Sequence, residues 1–213
     1  MTDVTDPPGG IADGRRGQIL AIAAAALAEK GFDGARLRDV SNAAGVSIGL
    51  IQHHFETRDQ LFLAAFEWSI DALLDRWHSS ADEAPDPVAR LEALIGELAG
   101  DPELVRRATT WIEFCASATR HPELRPGVLR VYDAWRTVIA EVVDAGVASG
   151  DFTLAMERDA AIELLSTLVD GLDLGAAGGW QDKESYAWVV RTSAALALGC
   201  PRLGTEHPPG KAT

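Results

Sequence analysis

The sequence predicts an all-α chain, with a three-helix head followed by a larger helical body. Apolar residues recur at spacings of three and four in each segment, and no run alternates with the period of two that a half-buried strand needs. The segments are separated by proline and glycine, at Pro85/Pro87, Gly100–Pro102, His121–Pro122, Gly150 and Gly178–Gly179. Charge then divides the chain. Across residues 14–58, Arg15, Arg16, Lys30, Arg36, Arg38 and Arg58 outnumber Glu29, Asp33, Asp39 and Glu56 by two, whereas the 213 residues together carry a net charge of −13. Nearly all the acidic excess therefore follows the head, which suggests a division of labour.

Residues 1–13, with Pro7, Pro8, Gly9 and Gly10, read as a loose tail. From Arg15 to Lys30, Ile19, Ala23 and Ala26/Leu27 share one helical face, and Gly31 supplies the stop. The stretch "RRGQILAIAAAALA" imitates a secretory leader, but Gln18 opens its apolar run and Glu29-Lys30 closes it. Alanine is also the best helix former, so an amphipathic helix is expected here. A second, short helix runs from Leu37 to Ala44, with Leu37, Val40 and Ala44 inward, and Gly45 suits the turn behind it. Ser47 is positioned to cap a third helix, Ile48 to Phe55. Thr57-Arg58-Asp59-Gln60 has the spacing of a capping box and opens a longer helix through Leu61, Phe62, Phe66 and Ile70. Four or five more helices follow, ending around Leu198 before a Pro/Gly-rich tail. The expected division is a tail at 1–13, a head at 14–58, a body at 59–200 and a tail at 201–213.

Several function classes are excluded by what is missing from the pattern. There is no glycine-rich phosphate loop, paired catalytic motif or metal-ligand set, so the chain does not read as an enzyme and needs no cofactor. Cys115 and Cys200 form no C-x-x-C pair and read as two thiols in a reducing cytoplasm. No apolar run approaches the ~20 residues that span a bilayer.

The third helix carries the functional signal. At about 100° per residue, Ile51 and Phe55 share the face that must enter the head's core. Opposite lie Gly49 and His53, flanked by Leu50, Gln52 and His54, with Ile48 nearer the core side. Adjacent histidines point about 100° apart on a helix and cannot chelate one ion, so a metal site is not expected. A short helix, a glycine-containing turn and a capped helix with a mixed outer face make a helix-turn-helix.

The stretch "RRGQILAIAAAALAEKGFDGARLRDVSNAAGVSIGLIQHHFETRDQLF" resembles the DNA-binding head of the TetR family of bacterial transcriptional regulators. The match is carried by Gly31-Phe32, Arg38-Asp39-Val40, Gly45-Val46-Ser47, and His54-Phe55 followed by Arg58 and Leu61. In the body, "WIEFCASATRHPELRPGVLRVYDAWRTVIAEVVDAGVASGDF" and "LLSTLVDGLDLGA" resemble the sensor domain of the subgroup that includes the choline-responsive repressor of glycine-betaine synthesis. The resemblance implies a cytoplasmic repressor released from operator DNA by a small-molecule effector. It also implies that Ser47 and the Ile48, Gly49 and Leu50 backbone meet the major groove, and that Gln52, His53 and His54 reach phosphates or base edges. Arg58 then pairs a phosphate at the start of the fourth helix. Two departures are visible. Gln52 stands where many members have an aromatic, and Arg36 where many have a small hydroxyl residue, which leaves Arg36 and Arg38 as cations beside the DNA. Gln52 can still read an adenine edge, and Leu50 can meet a thymine methyl. A helical interaction protein that has lost DNA binding is the alternative.

In the body, Trp111, Cys115 and Ala118 continue a stripe begun by Leu104 and Ala108, with Phe114 beside it, and Tyr132 and Trp135 lie on another. Core packing explains such stripes, and so do the walls of a ligand site. Glu113, Asp133, Asp170 and Asp173 recur beside them, and Trp68 adds a ring. The candidate effector set is thus Trp68, Trp111, Phe114, Cys115, Tyr132, Trp135 and Asp173, a combination suited to a cation. The last two long helices are apolar on more than one face: Leu164, Leu165, Leu168 and Leu172 form one stripe, Ile162 and Val169 lie on another, and Tyr186, Val189, Val190, Ala194 and Leu198 behave alike. One face can serve the body while another needs a partner, so a homodimer through these helices is expected.

Overall fold

The computed structural model describes residues 11–100, 104–179 and 183–203. The described residues are helical and contain no strand. In chain order the helices are α1 (Ile11–Gly34), α2 (Leu37–Ala44), α3 (Ile48–His54), α4 (Arg58–Asp82), α5 (Pro87–Gly100), α6 (Leu104–Arg120), α7 (Arg125–Ser149), α8 (Arg158–Ala177) and α9 (Lys183–Ala197). Short 3-10 turns stand at Pro122–Leu124 and Pro201–Leu203. Helices end at the expected glycines and prolines; the Gly100–Pro102 break lies, past Gly100, outside the described residues. No helix among them is long and apolar enough to cross a membrane.

The chain separates into two compact units, and the division differs from a head that stops at residue 58. The first unit comprises residues 11–73 and 113–127; the second comprises 74–112 and 128–203. A three-helix head cannot bury much surface alone, and this one extends its core with the first turns of α4 and the second half of α6.

In the first unit, Ile19, Leu20, Ala23 and Leu27 of α1 are buried with Val40, Ile51, Phe55, Leu61, Phe62 and Phe66. Phe32 is the centre of the aromatic packing. Its ring meets Phe62 edge-on at 6.4 Å and Phe114 of α6 at 5.4 Å, while Phe114 stacks on Phe66 at 4.2 Å. Gly31 makes this arrangement possible. Its φ of 68° breaks α1 before Phe32, and a Cβ there would stand 3.1 Å from the Glu113 carboxylate. Beyond it, Asp33 pairs with Arg120 at 2.6 Å and with His121 at 3.4 Å, and Arg120 holds the Asp33 carboxyl below the usual carboxylate range. The capping box at the start of α4 is complete: the Gln60 N–H donates to Thr57 Oγ1 at 3.1 Å, and the Thr57 N–H to Gln60 Oε1 at 3.3 Å.

In the second unit α5 packs on α9, and α9 packs on α8. Polar ties accompany the apolar core. Arg191 donates to Glu92 at 2.6 Å, Tyr132 donates through its hydroxyl to Glu163 at 2.7 Å, and the Tyr186 hydroxyl donates to the Leu168 carbonyl. Ordered structure reaches into both of the expected tails. Helix α1 already includes Ile11, while residues 1–10 lie outside the described residues. At the other end, Leu203 is buried and Arg202 pairs with Asp86 at 2.9 Å and Asp151 at 3.2 Å; residues 204–213 lie outside the described residues.

Both tyrosines of the chain resist ionisation. The hydrogen bond to Glu163, then burial, pushes the Tyr132 phenol up to about 12. Burial, then the charge of Asp173, raises that of Tyr186. Stability from these phenols is complete below their unfolded value of about 10 and is lost as pH rises through the folded values. Alkaline titration of phenolate absorbance should therefore lag free tyrosine until the protein unfolds. A full two-tyrosine signal by pH ~10.5 in folded protein would contradict these environments.

Candidate DNA-binding and effector sites

The helix-turn-helix is built by local interactions. Gly45, at φ 63°, closes α2 in the left-handed region, and the Ser41 hydroxyl donates to the Val46 carbonyl at 2.6 Å, which tightens the turn. Ser47 then caps α3: its Oγ accepts the Leu50 N–H at 3.1 Å. Ile51 and Phe55 are buried, and the Phe55 N–H closes the helix on the Ile51 carbonyl at 2.9 Å. Ile48, Gly49, Leu50, Gln52, His53 and His54 are all exposed. The outer face therefore offers an open backbone at Gly49, two aliphatic side chains, an amide and two imidazoles. Among the described residues, no group of three His, Cys, Asp or Glu side chains is arranged to hold a metal.

The cations around this face differ in direction. Arg36 and Arg38 are exposed at the start of α2. Asp39 accepts the Arg36 N–H at 3.0 Å and pairs with Lys30 at 2.9 Å, so an acid on α2 supplies capping that the Arg36 side chain cannot. Lys30, with the Arg36 N–H, holds the Asp39 carboxyl below its ordinary range. Arg58 turns inward. Its Nε donates to the Ala35 carbonyl at 3.0 Å, Nη1 to Asp59 at 2.5 Å and Nη2 to the Phe32 carbonyl. The guanidinium lies over both the Phe32 and Phe62 rings, 4.7 and 5.1 Å from their centroids. Arg16 of α1 was not among the expected DNA contacts, yet its guanidinium lies over the Phe55 ring at 5.1 Å, beside the end of α3.

The expected effector residues divide between the units. Trp68, Phe114 and Cys115 belong to the first, where Trp68 and Cys115 are half-buried and Phe114 is core. Trp111, Tyr132, Trp135 and Asp173 belong to the second. There Asp173 is buried and pairs with Arg107 at 3.6 Å, so its charge is already met by a cation. Asp170, one turn earlier on α8, differs. It accepts the Trp111 Nε1–H at 3.4 Å, it is half-buried, and among the described residues no cation pairs with it. Burial raises its pKa, the Trp111 hydrogen bond acts the other way, and Glu163 adds to the rise. Tyr132 stands beside this group, with Arg136 over its ring at 5.9 Å and also 3.5 Å from Glu163. The sequence pattern noted Asp170 beside an apolar face, but periodicity has no means of telling a paired acid from an unpaired one.

Comparisons with known proteins agree with this geometry. Residues 19–65 match the family model described as bacterial regulatory proteins, tetR family, and residues 87–197 match that described as BetI-type transcriptional repressor, C-terminal. The HTH-type transcriptional regulator CymR of Pseudomonas putida is 29% identical over 185 residues, covering 85% of this chain and 88% of that protein. Among solved structures, a TetR-family transcriptional regulator from Rhodococcus sp. is similar at a TM-score of 0.77 and 29% identity, over 86% of this chain and 98% of that one. A transcriptional regulator from Saccharomonospora viridis, solved in complex with choline, is similar at 0.72 and 25%, over 84% and 94%. With a helix-turn-helix of this form joined to a C-terminal domain of this type, the chain belongs to the TetR family of bacterial transcriptional regulators and carries a BetI-type C-terminal domain.

Proposed function

We propose that this protein is a cytoplasmic repressor that binds operator DNA as a homodimer and leaves it when a small cationic effector enters the second unit. The observation that carries the DNA contact is the outer face of α3, where an open Gly49 backbone and exposed Gln52 and His53 stand opposite buried Ile51 and Phe55. A recognition helix needs that division, with one face locked to the head and the other free to meet base edges. His53→Ala should weaken specific operator binding by about 1–3 kcal/mol without changing the fold. Phe55→Ala should instead destabilise the head by about 3–5 kcal/mol. Equal operator affinity in a folded His53 variant would remove α3's outer face from the reading.

Dimerisation is supported by what α8 and α9 leave uncovered. Thr167, Gly171 and Leu174 recur along one exposed face of α8, and Val189 and Leu196 along one face of α9. Leu174 is 62% and Leu196 71% exposed, a costly arrangement for large aliphatics unless a second copy covers them. Val190, by contrast, is 5% exposed and belongs to the protomer's own core. Leu174→Glu or Leu196→Glu should therefore give a folded monomer in sedimentation, whereas Val190→Glu should lower the melting temperature. A wild-type monomer at micromolar concentration would refute this interface.

A cationic effector is supported by Asp170, a carboxylate raised by burial and flanked by Trp111 and Tyr132. A ligand cation would supply the charge that Asp170 lacks, and ring faces favour it further. The choline bound to the Saccharomonospora viridis relative makes a quaternary ammonium the first probe. Choline should quench tryptophan fluorescence and raise the melting temperature, because it binds only the folded state. Asp170→Asn should weaken that binding about tenfold, or ~1.4 kcal/mol. Wild-type affinity should fall as pH is lowered, since the protonated acid has no charge to offer. An anionic ligand stabilising the protein more than choline would reverse the assignment.

A further inference from the structure

The first unit contains a further departure from the expected phosphate contacts, beyond the two visible in the sequence. We infer that Arg16, on α1, supplies the phosphate contact beside α3 that the family resemblance assigns to Arg58, and that Arg58 is a positioning residue within the head. This inference rests on the DNA-binding reading and adds to it a contact and its origin.

The two guanidiniums differ in the donors they have already committed. Arg58 donates to two backbone carbonyls and one carboxylate and lies over two rings. To bind a phosphate it would have to release the Phe32 and Ala35 carbonyls, which close the end of α1. Arg16 has the opposite arrangement. Its guanidinium lies over the ring of Phe55, the residue that ends α3, and it is exposed. A cation over a ring uses none of its N–H donors on that contact and keeps them available for two parallel hydrogen bonds to a phosphate. No carboxylate pairs with Arg16 among the described residues; Lys30, in contrast, is held by Asp39, and Arg15 donates to Gln18 at 3.0 Å. Resting on the ring also restricts Arg16 before DNA arrives, so less side-chain freedom is lost on binding. Because Phe55 is itself buried in the head, the cation is tied to the position of the recognition helix and not to a free chain end.

The test uses full-length protein with two duplex probes: one selected by this protein from a random-sequence pool, and a scrambled duplex of equal length. Affinities are measured across a salt series, with a melting curve for each variant. Arg16→Ala should weaken both duplexes alike, by several-fold, and lower the slope of log K against log salt by about one for each phosphate contact removed. Its melting temperature should be unchanged. Arg16→Lys should keep the slope and lose part of the affinity. Arg58→Ala should lower the melting temperature while leaving the slope of the folded protein unchanged, and Arg58→Lys should not restore stability, because an ammonium lacks the planar fork of donors that serves two carbonyls and a carboxylate at once. An unchanged slope in Arg16→Ala overturns the inference, as does a reduced slope with normal melting in Arg58→Ala. Wild-type protein that selects no duplex would overturn DNA binding itself, and with it this assignment; wild-type selection with an indifferent Arg16→Ala variant overturns the assignment alone.

Discussion

The packing of Phe32 is the constraint on which the head depends. One long helix and two short ones cannot exclude enough water from one another, so the end of α1 must be fastened to further helices. Phe32 makes that connection in three directions at once, to Phe62 of α4, to Phe114 of α6 and to the Arg58 guanidinium. Around it the polar atoms are accounted for as well: its carbonyl accepts from Arg58, and the following Asp33 pairs with Arg120. An aromatic ring at this point buries a large area at a small entropic cost, and edge-on contacts fix its orientation. Gly31 is the condition for all of it, because any side chain there would need both a left-handed backbone and the space that Glu113 occupies.

The recognition face follows from that anchoring. Helix α3 has seven residues, too few to be stable alone, so its register comes from Ile51 and Phe55 in the core and from the Ser47 cap. Once those are set, the outward direction of Gly49 and His53 leaves no choice. The free positive charge of residues 14–58 is likewise set by packing as much as by composition. Of their six cations, Arg58 is used internally and Lys30 is paired with Asp39, while Arg15, Arg16, Arg36 and Arg38 remain exposed.

In the second unit, two acids one turn apart on α8 are distinguished by their surroundings. Asp173 is deeper and compensated by Arg107; Asp170 is shallower, held by one indole N–H and raised by burial. A buried charge with its own counter-ion is a structural element, whereas a desolvated acid beside aromatic rings is a place where a cation gains by binding. The same helix also carries the uncovered Leu174.

What the sequence determined by itself was local. Helix positions, the Ser47 and Thr57 caps, the Gly45 turn, the inward pair Ile51 and Phe55 and the outward set on α3 are decided by residues within about one helical turn of one another, so their periodicity and spacing reveal them. The tertiary structure decided the partners of long side chains. The family resemblance makes Arg58 a phosphate ligand at the start of α4; its side chain turns inward because Ala35 and Phe32, 23 and 26 residues earlier, bring carbonyls and a ring to meet it. Arg16 looks like the basic edge of a leader-like run and is given a place by Phe55, far along the chain. Asp170 and Asp173 share one apolar border in the pattern, and Arg107 on another helix separates their roles. A flexible side chain takes whichever partner the fold brings within reach, and that choice is made between segments, where no spacing along the sequence records it.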